Sequence, residues 1–297
     1  MWWQKDTLDA GRNVTLFSIG FECETDSEAV FQWFSNEKQE WEQKGIRTGC
    51  LYINRKKIWW DFSGTETEWQ ESMLPYLASS LCDYLIQKHE LKWVKRYIEH
   101  AFLYKEESPA ITDIAHSLLE GERLEIPEAN LLQKRKHFVY RELLEEIKDR
   151  SEIAWAPLLT FRFGNYHHLL MKAAAAAIDE YKWEQEYQTM VEECRHYLKH
   201  HLPVYSMIHV QLTDKPVFLN EKKEPIDQWT RLHYLKPALV FEKSLPFEYM
   251  VVSPLVSFAP DLLHVYTDME EGTVETLRMI FQENVIVHPM KEWPLPS

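Results

Sequence analysis

The chain has 297 residues, a formal net charge of −14 and only 8 glycines. That length suits two or three small domains with a sizeable core, the charge opposes non-specific attraction to nucleic acid or anionic membrane, and so few glycines argue against several phosphate-cradling loops. With 45% apolar and 13% aromatic residues, the composition excludes a largely disordered chain.

No uncharged apolar run approaches the ~20 residues needed to span a bilayer. The stretch Met1 to Asp6 lacks the apolar core of a signal peptide, so a cytoplasmic protein is expected. Cys23, Cys50, Cys82 and Cys194 are scattered with no CxxC pair, which speaks against a structural zinc or a disulfide framework. Buried thiols are the plainer reading, with a Cys23–Cys50 meeting on neighbouring strands as the alternative.

Residues Val14 to Cys23 alternate, with Phe17, Ile19 and Phe21 on one side, as in a half-buried strand. Thr25-Asp26-Ser27-Glu28 spells a capping box, opening a helix that buries Val30, Phe31, Phe34 and Trp41 and stops at Gly45. Leu51 to Asn54 and Ile58 to Phe62 read as two joined strands. A second capping box, Thr65 to Glu68, opens a helix carrying Trp69, Met73, Leu77 and Leu81, which Pro75 kinks or delays. The spacing resumes at Leu91, Val94 and Ile98, so this part reads β-α-β-β-α.

Glu106 to Glu128, holding Pro109, Gly121 and Pro127, is the most loop-like stretch, with one short helix at Ile114 to Leu119. Leu131 to Lys148 returns to helical spacing, and Ser151 is a candidate cap for the next element, which Pro157 limits. The longest helical signal runs from Phe161 to His201, with Tyr166, Leu170, Ala173, Ala177, Tyr187, Val191, Cys194 and Leu198 on one face. That seam has a gap: Glu180 and Glu184 stand where apolar residues belong, and buried acids are costly unless paired. Pro203 ends the helix. Strands come next at Tyr205 to Leu212 and Val217 to Leu219, then an irregular polar insertion from Asn220 to Lys236. Glu248 to Phe258 is apolar, broken by Pro254, and open to either strand or helix. The end is clearer: strand Leu263 to Tyr266, helix Thr273 to Phe281, strand Val285 to Val287, a length suited to a parallel crossover.

Several of these residues form an ordered pattern. Phe161-Arg162-Phe163 before Tyr166, Ala177 to Tyr181, Glu184 to Tyr187, Ile208-His209-Val210, Ser257 to Pro260 before Leu263-His264-Val265, and Glu275-Thr276-Leu277 before Val285-Ile286-Val287 resemble the YtxC-like family of sporulation-linked proteins. The resemblance covers the second half of the chain well and the first half in element order. Gly164-Asn165 and the Pro-rich end, Pro289 to Ser297, depart from it. It implies a protein of endospore-forming bacteria, with no assigned activity.

The seam's gap supplies the candidate binding group: Arg162, Tyr166, Glu180, Glu184 and Glu186. Arg162 would hold an anion while the carboxylates position it, although a buried ion-pair network that fixes register is the plainer account. Glu192, His196 and His200 share a helical face at metal-ligand spacing, but without HExxH they read as an ordinary helix end. Arg55-Lys56-Lys57 beside Trp59-Trp60, and Lys134 to Phe138, are basic clusters with aromatics, read as solvated surface rather than a nucleic-acid grip. The Walker loop, GxGxxG, GxSxG and the calcium loop are not found.

The sequence therefore predicts an α+β protein: central long helices flanked by an N-terminal β-α-β-β-α unit (1–105) and a C-terminal mixed unit ending in βαβ (204–297), with a helical region at 106–203 between them. It predicts a protein or small-molecule partner, no nucleic-acid or membrane partner, no metal and no cofactor. The alternative is an enzyme acting on a phosphorylated small molecule or nucleotide through Arg162 and neighbouring carboxylates. The Asn220 to Lys236 connection is the expected macromolecular contact, since Asp268, Glu270 and Glu271 already crowd the start of the last helix with negative charge.

Overall fold

The computed structural model describes residues 15–45, 48–123, 126, 132–268 and 272–294. The expectations for Val14, Pro127, Leu131, Glu270, Glu271 and the last three residues lie outside that set. The protein is α+β, with two compact units, Met1–Tyr181 and Lys182–Ser297. Each has its own four-stranded sheet.

In the first unit, β1 (Thr15–Gly20), β2 (Cys50–Asn54), β3 (Lys57–Phe62) and β4 (Glu152–Ala154) lie in the order β2-β3-β1-β4. Alternation in β1 and β3 sends Phe17, Ile19, Ile58, Trp60 and Phe62 into the core. There they meet Val30, Phe34 and Trp41 of helix α1 (Glu24–Gln43). The capping box at Thr25 does not form, because α1 starts earlier, directly after Cys23, and its first turn has no side-chain cap. The box at Thr65 forms in full, with Glu68 N–H on the Thr65 hydroxyl and Thr65 N–H on the Glu68 carboxylate.

It opens α2, an unbroken helical run over 66–101 in which π segments at Trp69–Met73, Ile86–Glu90 and Tyr97–Ala101 alternate with α-helix. The apolar positions explain the widening. Trp69, Met73, Leu77, Leu81 and Leu85 recur every four residues, and at ~100° per residue each such step drifts ~40° around a regular α-helix. The π turn at Trp69–Met73 offsets part of that drift, and all five side chains are buried.

Helix α3 (Ser108–Glu120) is longer than the expected Ile114 to Leu119, because Pro109 occupies its first turn, where the missing amide costs nothing, and Gly121 ends it in the left-handed region (φ 77°). Helix α4 (Arg135–Lys148) comes next. Ser151 caps nothing; it leads instead into β4, parallel to β1, and then α5 (Trp155–Phe161), whose N-cap is Ala154.

Helix α6, Gly164–His200, belongs to both units, which accounts for the gap in its seam. Tyr166, Leu170, Ala173, Ala177 and Ile178 serve the first core, with Tyr181 at its margin. Tyr187, Met190, Val191 and Cys194 serve the second. Glu180 and Glu184 fall, in sequence, between the residues that serve the first core and those that serve the second.

The second sheet runs β6-β5-β7-β8, with β5 (Met207–Gln211), β6 (Val217–Asn220), β7 (Leu262–Tyr266) and β8 (Val285–His288). β5, β7 and β8 are parallel, and α9 (Gly272–Phe281) is the expected crossover between the last two. Ile208, Val210, Phe218, Leu263 and Val265 share a core with Val191 of α6, with α9 and with α8 (Val252–Phe258), which resolves the ambiguous apolar segment as a fully buried helix. The Asn220 to Lys236 connection is not a loose insertion. Pro225 bridges to Leu219, Ile226 is in the core, and Asp227 caps helix α7 (Gln228–Tyr234) through Thr230 N–H at 2.7 Å.

Candidate functional site

The five residues singled out around the seam are not brought together. Arg162, at the end of α5, pairs with Glu146 of α4 (Nε–Oε2 2.8 Å). Glu180 pairs with Arg123 (2.8 Å). The expected pairing of Arg162 with Glu180, Glu184 or Glu186 does not form. Glu180 lies sixteen residues past Gly164 on one continuous helix, about 24 Å along its axis. Glu184 and Glu186 are further on, in the second unit. The enzyme reading built on Arg162 and these carboxylates therefore has no assembled group behind it.

Tyr166 is different. It is fully buried, and its hydroxyl donates to Glu90 at the end of the second π segment. Glu90 also accepts from Arg135 Nε at 2.9 and 3.2 Å. Arg135 uses Nη1 on the Leu119 carbonyl and Nη2 on Glu120 (3.0 Å), so it closes the C-terminal end of α3 as well. With Glu90 2% and Arg135 7% exposed, this is a buried ion-pair network that the sequence reading did not place here. Burial, then the charge of Glu90, pushes the Tyr166 hydroxyl far up, so it stays a donor. Burial alone opposes the Arg135 charge, but the hydrogen bond and charge of Glu90 outweigh it. Every member is partnered, and the group pins α2, α3, α4 and α6 together. The basic run at Lys134 to Phe138 is thus not all surface: its Arg135 is core.

The second unit carries a group that reading the sequence alone missed. His209 of β5, His264 of β7 and His288 of β8 stand side by side on the sheet face opposite the apolar core, because alternation places them between Ile208 and Val210, Leu263 and Val265, and after Val287. His209 and His264 are register partners with rings 4.8 Å apart, and His264 and His288 lie 5.0 Å apart. Tyr266 stacks on His288 at 4.8 Å, and its hydroxyl meets His209 Nδ1 at 3.1 Å. His264 Nδ1 lies 2.8 Å from His288 Nε2, and His288 Nδ1 lies 3.3 Å from Glu292.

A carboxylate only accepts, so His288 donates from Nδ1; with a neutral His288 ring, Nε2 accepts, and His264 then donates from Nδ1 and keeps a lone pair on Nε2. Burial, then the neighbouring His264, pushes His209 down to about 4. Burial and His288 lower His264 too. His264 and His288 are only half-buried.

The Glu192, His196 and His200 stripe lines an open groove of about 890 Å³ beside Tyr197 and Leu239. Its members are engaged locally, Glu192 with Arg195 and His200 Nδ1 with the His196 carbonyl (2.8 Å). Among the described residues, no three His, Cys, Asp or Glu side chains are grouped to hold a metal ion. All four cysteines are free thiols. No helix among the described residues is long and apolar enough to cross a membrane.

The YtxC-like family matches residues 75–286, a span that starts within α2 and so reaches well into the first unit, leaving β1, α1, β2 and β3 outside. The uncharacterised protein YtxC of Bacillus subtilis (strain 168) is 29% identical over 222 residues, covering 74% of this chain and 78% of that protein. No solved structure matches.

Proposed function

Because the chain belongs to the YtxC-like family, we propose that it serves endospore formation as a cytoplasmic binding protein, whose binding face is the histidine-bearing side of the second sheet. The observation that carries this is the row His209, His264 and His288, joined side by side and oriented by Tyr266 and Glu292. Fixed imidazoles offer directed hydrogen bonds, which suits a partner rich in N–H and O–H donors, such as an amide-bearing small molecule or peptide segment. The lone pair left on His264 Nε2 is the acceptor such a donor would meet. The family resemblance, which implies a protein of endospore-forming bacteria, supports the sporulation setting. Four free cysteines are in keeping with a reducing compartment.

The test is genetic. Removing the gene from its host should lower the count of heat-resistant spores, the wild-type gene should restore it, and a His264→Phe, His288→Phe gene making normal amounts of protein should not. Normal spore counts without the gene would refute the sporulation role. Full rescue by the double variant would refute the assigned face.

A further inference from the structure

Arg231 lies near the middle of α7. The residue is 8% exposed. Its Nε and Nη1 are sealed from solvent and make no hydrogen bond among the described residues. The guanidinium lies over two rings, 4.6 Å from the centre of Phe218 and 5.5 Å from that of Phe247. Asp227, one turn earlier, favours the charge from a distance, but its carboxylate is committed to capping the helix at Thr230.

Arginine cannot escape this by losing its proton. Cation–π contact offsets only part of the desolvation of a guanidinium, and neither ring supplies an acceptor. Arg135 marks the contrast. That residue is equally buried, yet it has Glu90, Glu120 and a backbone carbonyl as acceptors. Arg231 has two aromatic rings near its guanidinium and, among the described residues, no acceptor for Nε or Nη1.

We infer that Arg231 anchors a binding site for an oxyanion, a carboxylate or phosphate group carried by a small ligand, beside Phe218 and Phe247. Donors on more than one edge of the guanidinium suit a group with two or three acceptor oxygens. The site is separate from the histidine row. Phe218 pairs in register with Val210 and shares its core face, whereas His209 pairs with Leu219 and points to the other.

Thermal unfolding of the full chain tests this, in sodium phosphate, sodium acetate and sodium chloride at matched ionic strength. Wild type should gain a saturable rise over chloride in phosphate or acetate, roughly 5 °C or more well above Kd. The better of the two anions identifies the carried group. Arg231→Met should abolish that rise, which separates it from the general stabilisation excluded salts give any protein. In chloride, Arg231→Met and Arg231→Gln should both be at least as stable as wild type, since each removes an unpaired buried cation. No rise in wild type, or an equal rise in both variants, overturns the site. Unfolding of both variants in chloride also overturns it, because the charge would then be satisfied within the fold. Spore rescue by the histidine variants does not bear on any of these readouts.

Discussion

Replacing Glu90 with glutamine removes one charge from the first unit's core and little else. The carboxylate accepts from Arg135 Nε, at 2.9 and 3.2 Å, and from the Tyr166 hydroxyl. Glutamine can still accept from Tyr166, so the loss falls on Arg135, which keeps only Glu120, a half-exposed carboxylate, as a charged partner. Breaking a buried pair from one side costs about 3–5 kcal/mol. The Glu120 contact places the expectation for Glu90→Gln near the lower end, about 3 kcal/mol. For a unit of this size that is a fall of roughly 6–12 °C in midpoint. The sharper test is the pair: Glu90→Leu with Arg135→Met should be more stable than Glu90→Leu alone, because the stranded cation is gone. Urea unfolding monitored by tryptophan fluorescence gives both numbers. A Glu90→Gln loss under about 1 kcal/mol, or a double variant worse than the single, would refute the reading of this network.

Thr65→Ala should cost about 1 kcal/mol by urea midpoint, and Thr25→Ala little, since only the former box exists; equal effects would contradict the assignment. Ile226→Ala should cost about 2–5 kcal/mol, and deleting Asn220 to Arg231 should unfold the second unit. A deletion variant with an unchanged midpoint would show that the segment is the loose insertion its composition suggested. Acid should weaken the second unit. The unfolded chain protonates histidine near pH 6.5, whereas His209 takes its proton only near 4 in the fold. The unfolded state therefore binds more protons in between, so stability is full above about pH 6.5 and falls as pH drops toward 4, by about 3 kcal/mol from this residue. His209→Phe should flatten that fall; an unchanged pH profile would contradict the buried neutral imidazole.

What the sequence revealed was whatever local pattern decides. Alternation located β1, β3, β5 and β7, and three- and four-residue spacing located α1, α2 and α6. The same T-x-x-E pattern at Thr25 and Thr65 gave one real capping box and one false one, because the spelling does not say which residue is the cap. Pro109 read as a break, although proline in a first turn starts a helix. The acidic gap at Glu180 and Glu184 was visible, but its cause, two cores sharing one helix, depends on packing that a linear pattern does not carry. The same holds for the sites. Tyr166 stood out on the apolar seam, yet its partner Glu90 is 76 residues away. The histidine row did leave a signal: one histidine at a non-core position of each of three apolar strands. Only parallel pairing turns those three scattered letters into neighbours.

Binding of a partner by the histidine-bearing sheet face is tested most directly by affinity capture from sporulating cells. Wild type and the His264→Phe, His288→Phe variant, shown to share one unfolding midpoint at neutral pH, are each used as bait. Mass spectrometry then identifies the retained proteins and small molecules. At least one species should be held by wild type and lost from the variant. Identical retained sets would contradict a binding role for this face.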